Sequence, residues 1–196
     1  MSASELDICN RALGLLGAAS IVSIDGTEQA ADLCRRFLPG LRDELLRNHP
    51  WKFATKRALL PASATAPAWG PGYSYPLPTD CLRVLELDAE AGDGWAVEGD
   101  AIVTSLTAPL SIRYTARITD TTKWNVSFCS VMAARLAADL AMSLALSASL
   151  RSQMLDEMKR GLREARSIDA MEASSASFYA DTLVDARRTG VAAGWT

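Results

Sequence analysis

A chain of 196 residues, 49% hydrophobic and 22% charged, has the makeup of a soluble globular protein of about one domain, long enough to bury a sizeable core. Its formal net charge of -3 and pI near 5.2 argue against a stand-alone, high-affinity DNA binder, which would carry a basic face. The four cysteines (Cys9, Cys34, Cys81, Cys129) are widely spaced with no CxxC, so buried thiols in a reducing compartment are expected rather than a metal site.

The opening MSASELDICNRALG has acids before its first Arg and no long apolar run, unlike a secretory signal. Residues 4–17 are predicted to form a short helix. Ser4 is a good N-cap, Asp7 sits three residues on as in a capping box, and Leu6, Cys9, Leu13 and Leu16 make an apolar face that Gly17 ends. AASIVSIDG then reads as a short strand-like linker. A longer helix is expected from about Thr27 to Asn48, capped by Asp25 or Thr27. Its stripe is Ala30, Leu33, Cys34, Phe37, Leu38, Leu41 and Leu45. Pro39 falls inside it and should kink or split it, and Pro50 ends it at His49.

From Trp51 to Thr115 Pro and Gly become frequent and short β-prone runs replace the helical period. Strands are expected at WKFATKRALL, CLRVLELD, WAVEG with AIVTS, and LSIRYTARI. WAVEGDAIVT reads as a hairpin turning at Gly99-Asp100. PASATAPAWGPGYSYPLP reads as one long loop, and Trp69, Tyr73 and Tyr75 make it unusually aromatic for a tether.

The stretch from Trp124 to Phe178 is the expected organiser of the fold: two helices joined near Ser147 to Ser149. Thr119 and Asp120 are cap candidates for the first. Phe128, Met132, Leu136, Leu140 and Leu144 share a face, with Ala over much of the rest, and Arg135 and Asp139 form an i,i+4 pair. In the second, Met154, Met158, Leu162 and Ala165 face inward while alternating charges face water. The nearly uncharged run around Ala137 to Leu150 contains Asp139 and several serines, and is too short and polar for a membrane span of about 20 residues. The predicted architecture is α+β: a helical bundle built from residues 1–50 and 116–177, a small antiparallel β insertion at 51–115, and an extended arm at 178–196.

No catalytic, cofactor-binding or metal-ligating constellation emerges. The single histidine, His49, would have to serve any Ser–His–Asp triad, and a helix-terminal His before Pro-Trp reads better as structural. Asp43-Glu44 and Asp156-Glu157 are sequence neighbours and point to different sides of a helix. Gly92-Asp93-Gly94 lies between strands, where a phosphate cradle does not form. Of five tryptophans, Trp51 and Trp124 are placed at helix–sheet junctions, whereas Trp69 and Trp195 sit in a loop and a tail. The interaction residues expected are Trp69, Tyr73, Tyr75, Phe178, Tyr179 and Trp195.

Several passages together resemble the head-to-tail adaptor family of tailed bacteriophages, also called tail tubular protein A or gateway proteins. They are DICNRALGLLG, RDELLRNHPWKFATKRALL, YSYPLPTDCLRVLEL, WAVEGDAIVTS and LSIRYTARITDTTKWNVSFCSVMAARLAADLA, in that order. RDELLRNHPWKFA and YPLPxDCLRVL are the most specific, and the resemblance covers about residues 4 to 170. It implies a structural protein of the virion neck, made in the host cytoplasm, with no enzyme activity and no cofactor. The implied partners are copies of itself in a dodecameric ring, the portal protein, and the tail tube, nozzle or stopper. DNA would pass through the channel without specific binding, and no membrane is involved. Two rival readings are a non-ring scaffolding protein and a tail-associated lysin; the lysin needs an acid pair or metal site, and the sequence offers neither.

Overall fold

The computed structural model describes residues 3–70, 72–88 and 94–172. Within them lie α1 (Glu5–Leu15), α2 (Gln29–Asn48), β1 (Thr55–Leu60), β2 (Tyr73–Pro76), β3 (Cys81–Leu87), β4 (Trp95–Glu98), β5 (Ala101–Thr104), β6 (Leu110–Ala116), α3 (Val126–Leu144) and α4 (Ala148–Met171). The chain is α+β, a helical bundle with two small antiparallel sheets.

The hub is α3. It packs against α1, α2 and α4. A helix in contact with three others needs apolar or small residues on most of its circumference, and α3 supplies them: Phe128, Val131, Met132, Leu136 and Leu140 are buried, with Ala133, Ala137, Ala138 and Ala141 between them. Its 19 residues and mean hydropathy of 1.3 would suit a membrane span by length and composition, and burial inside the bundle accounts for that apolarity. The amphipathic α4 lays Met154, Met158, Leu162 and Ala165 on the core and turns its charges outward apart from the buried Asp169. Ser147 caps α4 through Leu150 N.

At the N-terminus the capping box forms as expected. Ser4 Oγ accepts from Asp7 N at 3.1 Å, and Asp7 Oδ2 accepts from Ser4 N at 2.9 Å. Those bonds hold the Asp7 carboxyl below the usual carboxylate range.

Several expectations are corrected. AASIVSIDG is a linker, as expected, but forms no strand; the side chain of Asn10 holds it at Ile21, donating to Ile21 O at 3.0 Å and accepting from Ile21 N at 2.8 Å. The N-cap of α2 is Glu28, without a side-chain bond, and neither Asp25 nor Thr27 caps it. Pro39 does not divide α2. Pro39 lies on the exposed face, where water can serve the carbonyl of Arg35, while buried Cys34, Leu38, Leu41 and Leu45 hold the opposite face to the core. Phe37, placed in the apolar stripe, is 37% exposed. Asp120 caps the short 3-10 turn Thr121–Lys123, and Asn125 caps α3, accepting from Phe128 N at 2.7 Å. The long loop is interrupted by β2, so Tyr73 and Tyr75 belong to a strand.

The sheets are three-stranded, with orders β1-β6-β3 and β2-β5-β4. The β4–β5 hairpin turns at Gly99-Asp100 as expected. Gly99 has φ +60°, a conformation that favours glycine at the first central position of a tight hairpin turn. Inward side chains of both sheets, among them Tyr75, Ile102, Ile112 and Tyr114, join one contiguous core with the helices.

Both junction tryptophans lie where expected. Trp51 is fully buried and its indole N–H donates to Leu45 O at 2.9 Å; that of Trp124 donates to Ile118 O at 3.1 Å. Each meets Phe128 edge-on, with ring centroids 5.2 and 5.1 Å apart, so the first turn of α3 is set into an aromatic cluster.

Candidate interaction surface

Three exposed aromatics, Trp69, Tyr73 and Trp95, lie on or beside the sheet β2-β5-β4. In register across it, Tyr73 and Trp95 flank Thr104, and Tyr75 and Val97 flank Ile102. Because side chains alternate along a strand, these rows share one face, and Ser74, Val103 and Ala96 form the other. The first face is buried at its centre and open at its margins: Ile102 and Thr104 are fully covered, whereas Trp95 is 39% and Val97 47% exposed. β4 is an edge strand whose four residues are all exposed.

The second face carries two shallow cavities. One, of about 380 Å³, is lined by Trp69, Pro67, Ser74, Glu98, Ala101 and Val103. The other, of about 370 Å³, is lined by Gly94, Trp95, Ala96, Glu98, Val103 and Ser105. Trp69 is 88% exposed beside the first. A bare indole, a Pro/Ala-rich loop and an uncovered strand edge are features of surfaces that a partner covers. Apart from the Glu98 carboxylate the groups here are apolar or hydrogen-bonding, which suits the binding of a partner.

The expected interaction residues separate. Trp69 and Tyr73 are on the surface. Tyr75 is not: it is fully buried, its hydroxyl donates to Leu106 O at 2.7 Å, and burial followed by the nearby Tyr73 raises its phenol above the ordinary value. It is a core residue: it shares a face with Tyr73, but its row lies over the fully buried Ile102, where the core covers it. Phe178, Tyr179 and Trp195 lie outside the described residues. Trp95 and Val97 went unnamed as candidates, although the alternation of WAVE in an edge strand is the signal that marks them.

Elsewhere, polar groups work structurally. His49 Nε2 lies 3.1 Å from Asp169 Oδ2, and the other carboxylate oxygen accepts from Lys52 N at 3.0 Å. No hydroxyl or thiol among the described residues is hydrogen-bonded to His49, so this His–Asp pair lacks a nucleophile and instead ties the end of α4 to the α2–β1 junction. Asp80 accepts from Lys56 at 2.7 Å and from the Tyr114 hydroxyl at 3.1 Å, linking β1, β6 and the start of β3. Cys9, Cys34 and Cys129 are buried free thiols. Hydrogen bonding with Cys34 and then burial push the Cys9 thiol up. Among the described residues no cluster of three or more His, Cys, Asp or Glu side chains could hold a metal ion.

No protein-family model matches the chain, and no curated protein matches it.

Proposed function

We propose that this chain is a structural head-to-tail adaptor of a tailed phage or phage-like particle. It forms a ring, a dodecamer by the family resemblance, between portal and tail, and the ring continues the DNA channel. One observation carries the reading: the ordered set of adaptor-like passages from DICNRALGLLG to MAARLAADLA, in one chain, at compatible spacing. The most specific of them, RDELLRNHPWKFA, builds the end of α2 and the turn into β1, where Trp51 is seated and α4 is tied down.

Two physical features support the reading. A mildly acidic chain suits a channel that DNA must leave, because tight binding would require neutralising many phosphates. The margins of the sheet β2-β5-β4 leave Trp69, Trp95 and Val97 for a partner, either the neighbouring subunit or the next tail component. On this reading residues 178–196, with Phe178, Tyr179 and Trp195, are assigned to contact with the portal or a neighbouring subunit, and deleting them should weaken portal binding. Electron microscopy of the purified particle tests the proposal. Density for this chain between portal and tail is expected, and density anywhere other than the neck overturns it.

A further inference from the structure

The outer face of the sheet β1-β6-β3 contains an unbalanced row. Arg57 on β1 is directly opposite Arg113 on β6, and Arg113 is in turn opposite Glu86 on β3. Glu86 satisfies only the second guanidinium, at 2.7 Å. Like charges facing each other across an antiparallel pair are destabilising, and Arg57 has no ion pair or hydrogen bond among the described residues. In the next row Leu59 faces Ser111 and is 68% exposed. Arg57, Leu59, Ser111, Arg113, Glu86 and Asp88 line a cavity of about 670 Å³. Asp88 stands at the end of β3, two strands from β1, roughly 10 Å away across the sheet. The far edge of β1 has no strand partner among the described residues. An acid beside Arg57 would complete the row as acid–Arg57–Arg113–Glu86, and an apolar residue two positions along would cover Leu59.

The chain carries such a segment. Asp181-Thr182-Leu183-Val184-Asp185 places an acid two positions to either side of Leu183. Leu183 beside Leu59 therefore brings an acid next to Arg57 whichever way the segment runs. The segment is also within reach. Asp169, on the last turns of α4, is bonded to Lys52 N, just ahead of β1. From Glu172 to Asp181 the chain spans up to about 30 Å, and from Lys52 to Arg57 at most about 17 Å.

We propose that, in the chain on its own, the free edge of β1 is the docking site of residues 181–185, with Leu183 on Leu59 and Asp181 or Asp185 paired to Arg57. Main-chain bonds along the edge supply affinity and the two side-chain rows fix the register. The proposal concerns the single chain and does not rest on the adaptor reading.

Hydrogen–deuterium exchange on the full-length protein tests it. In the triple variant Asp181→Lys, Leu183→Asp, Asp185→Lys, amides of β1 should exchange at least about tenfold faster than in the wild type. Arg57→Glu should produce the same loss, and combining it with Asp181→Lys and Asp185→Lys alone should restore protection. Unchanged exchange in the triple variant overturns the proposal, whatever Arg57→Glu does to folding. Protection that grows with protein concentration overturns it as well, since the segment would then come from a second copy.

Discussion

Asp169 and His49 meet at 3.1 Å although 120 positions separate them, and the carboxylate is almost fully buried, with a side-chain exposure of 3%. The same carboxylate receives Lys52 N at 3.0 Å. A buried acceptor serving two donors holds the C-terminal end of α4 against the turn between α2 and β1, and Arg166 adds a bond to Asn48 O at 3.1 Å. Removing the acceptor leaves both donors short of a partner, which costs on the order of 2 kcal/mol. Asp169→Ala is therefore expected to lower the urea midpoint by that amount with little change in slope, and His49→Ala by less, because Lys52 N keeps its partner. An Asp169→Ala loss under about 0.5 kcal/mol would mean that packing of Met158, Leu162 and Ala165 holds the helix without the clasp.

Asp80 and Tyr114 set opposite pH limits. Burial works against the Asp80 carboxylate, but bonds from Lys56 and Tyr114 outweigh it and hold it below its ordinary 3.8. A depressed carboxylate contributes stability above its unfolded value and loses it as pH falls through the folded one, so this contribution fades in the acid window below 3.8. Burial first, and Asp80 second, push the Tyr114 phenol up to about 12. Its contribution is complete below the ordinary phenol value and disappears as pH rises through about 12. Tyr114→Phe removes the hydroxyl that supports the Asp80 carboxylate. The expected result is an acid-unfolding midpoint at higher pH, together with loss of a strongly alkaline component from the phenolate absorbance titration. An acid limb identical to wild type would show that Lys56 alone sustains Asp80.

Most of the helical frame was legible because its causes are local. Ser4 with Asp7, the buried stripe Cys34-Leu38-Leu41-Leu45, and the Phe128-Met132-Leu136-Leu140 face all lie within a few turns of one another. The hairpin at Gly99 was equally local. What escaped needed partners distant in sequence. Tyr75 reads as a loop aromatic until β5 is laid beside β2 and Leu106 O accepts its hydroxyl. Pro39 reads as a helix breaker until burial of the opposite face is counted. Trp95 becomes a surface candidate once β4 is known to be an edge. The His49–Asp169 pair joins two segments that no short window contains.

The turn between α3 and α4 gives a test of backbone strain. Leu146 has φ +47° and is 83% exposed, so a branched side chain occupies a left-handed conformation with no packing to compensate. That conformation costs a non-glycine residue about 1 kcal/mol, and asparagine tolerates it better. Leu146→Asn is expected to raise the thermal midpoint, equivalent to up to about 1 kcal/mol. Leu146→Val, with branching at Cβ, should lower it. Val and Asn variants of equal stability would show that the left-handed turn is not populated in solution.

Trp69, Trp95 and Tyr75 should respond oppositely to truncation, because their burial differs and not because of their chemistry. Tyr75→Ala empties a fully buried site and unmakes the bond to Leu106 O, so a loss of about 3–5 kcal/mol is expected by urea unfolding. Trp69→Ala, at 88% exposure, should stay within about 0.5 kcal/mol of wild type. Trp95→Ala, at 39%, should cost more than Trp69→Ala and much less than Tyr75→Ala. If the adaptor reading holds, the order reverses for assembly. Among stably folded variants, Trp69→Ala and Trp95→Ala should reduce incorporation into particles, measured as copies retained per particle after purification, because each removes apolar area from the margin a partner covers. A Trp69→Ala, Trp95→Ala double variant that folds and is incorporated at the wild-type level would place the contact elsewhere on the chain.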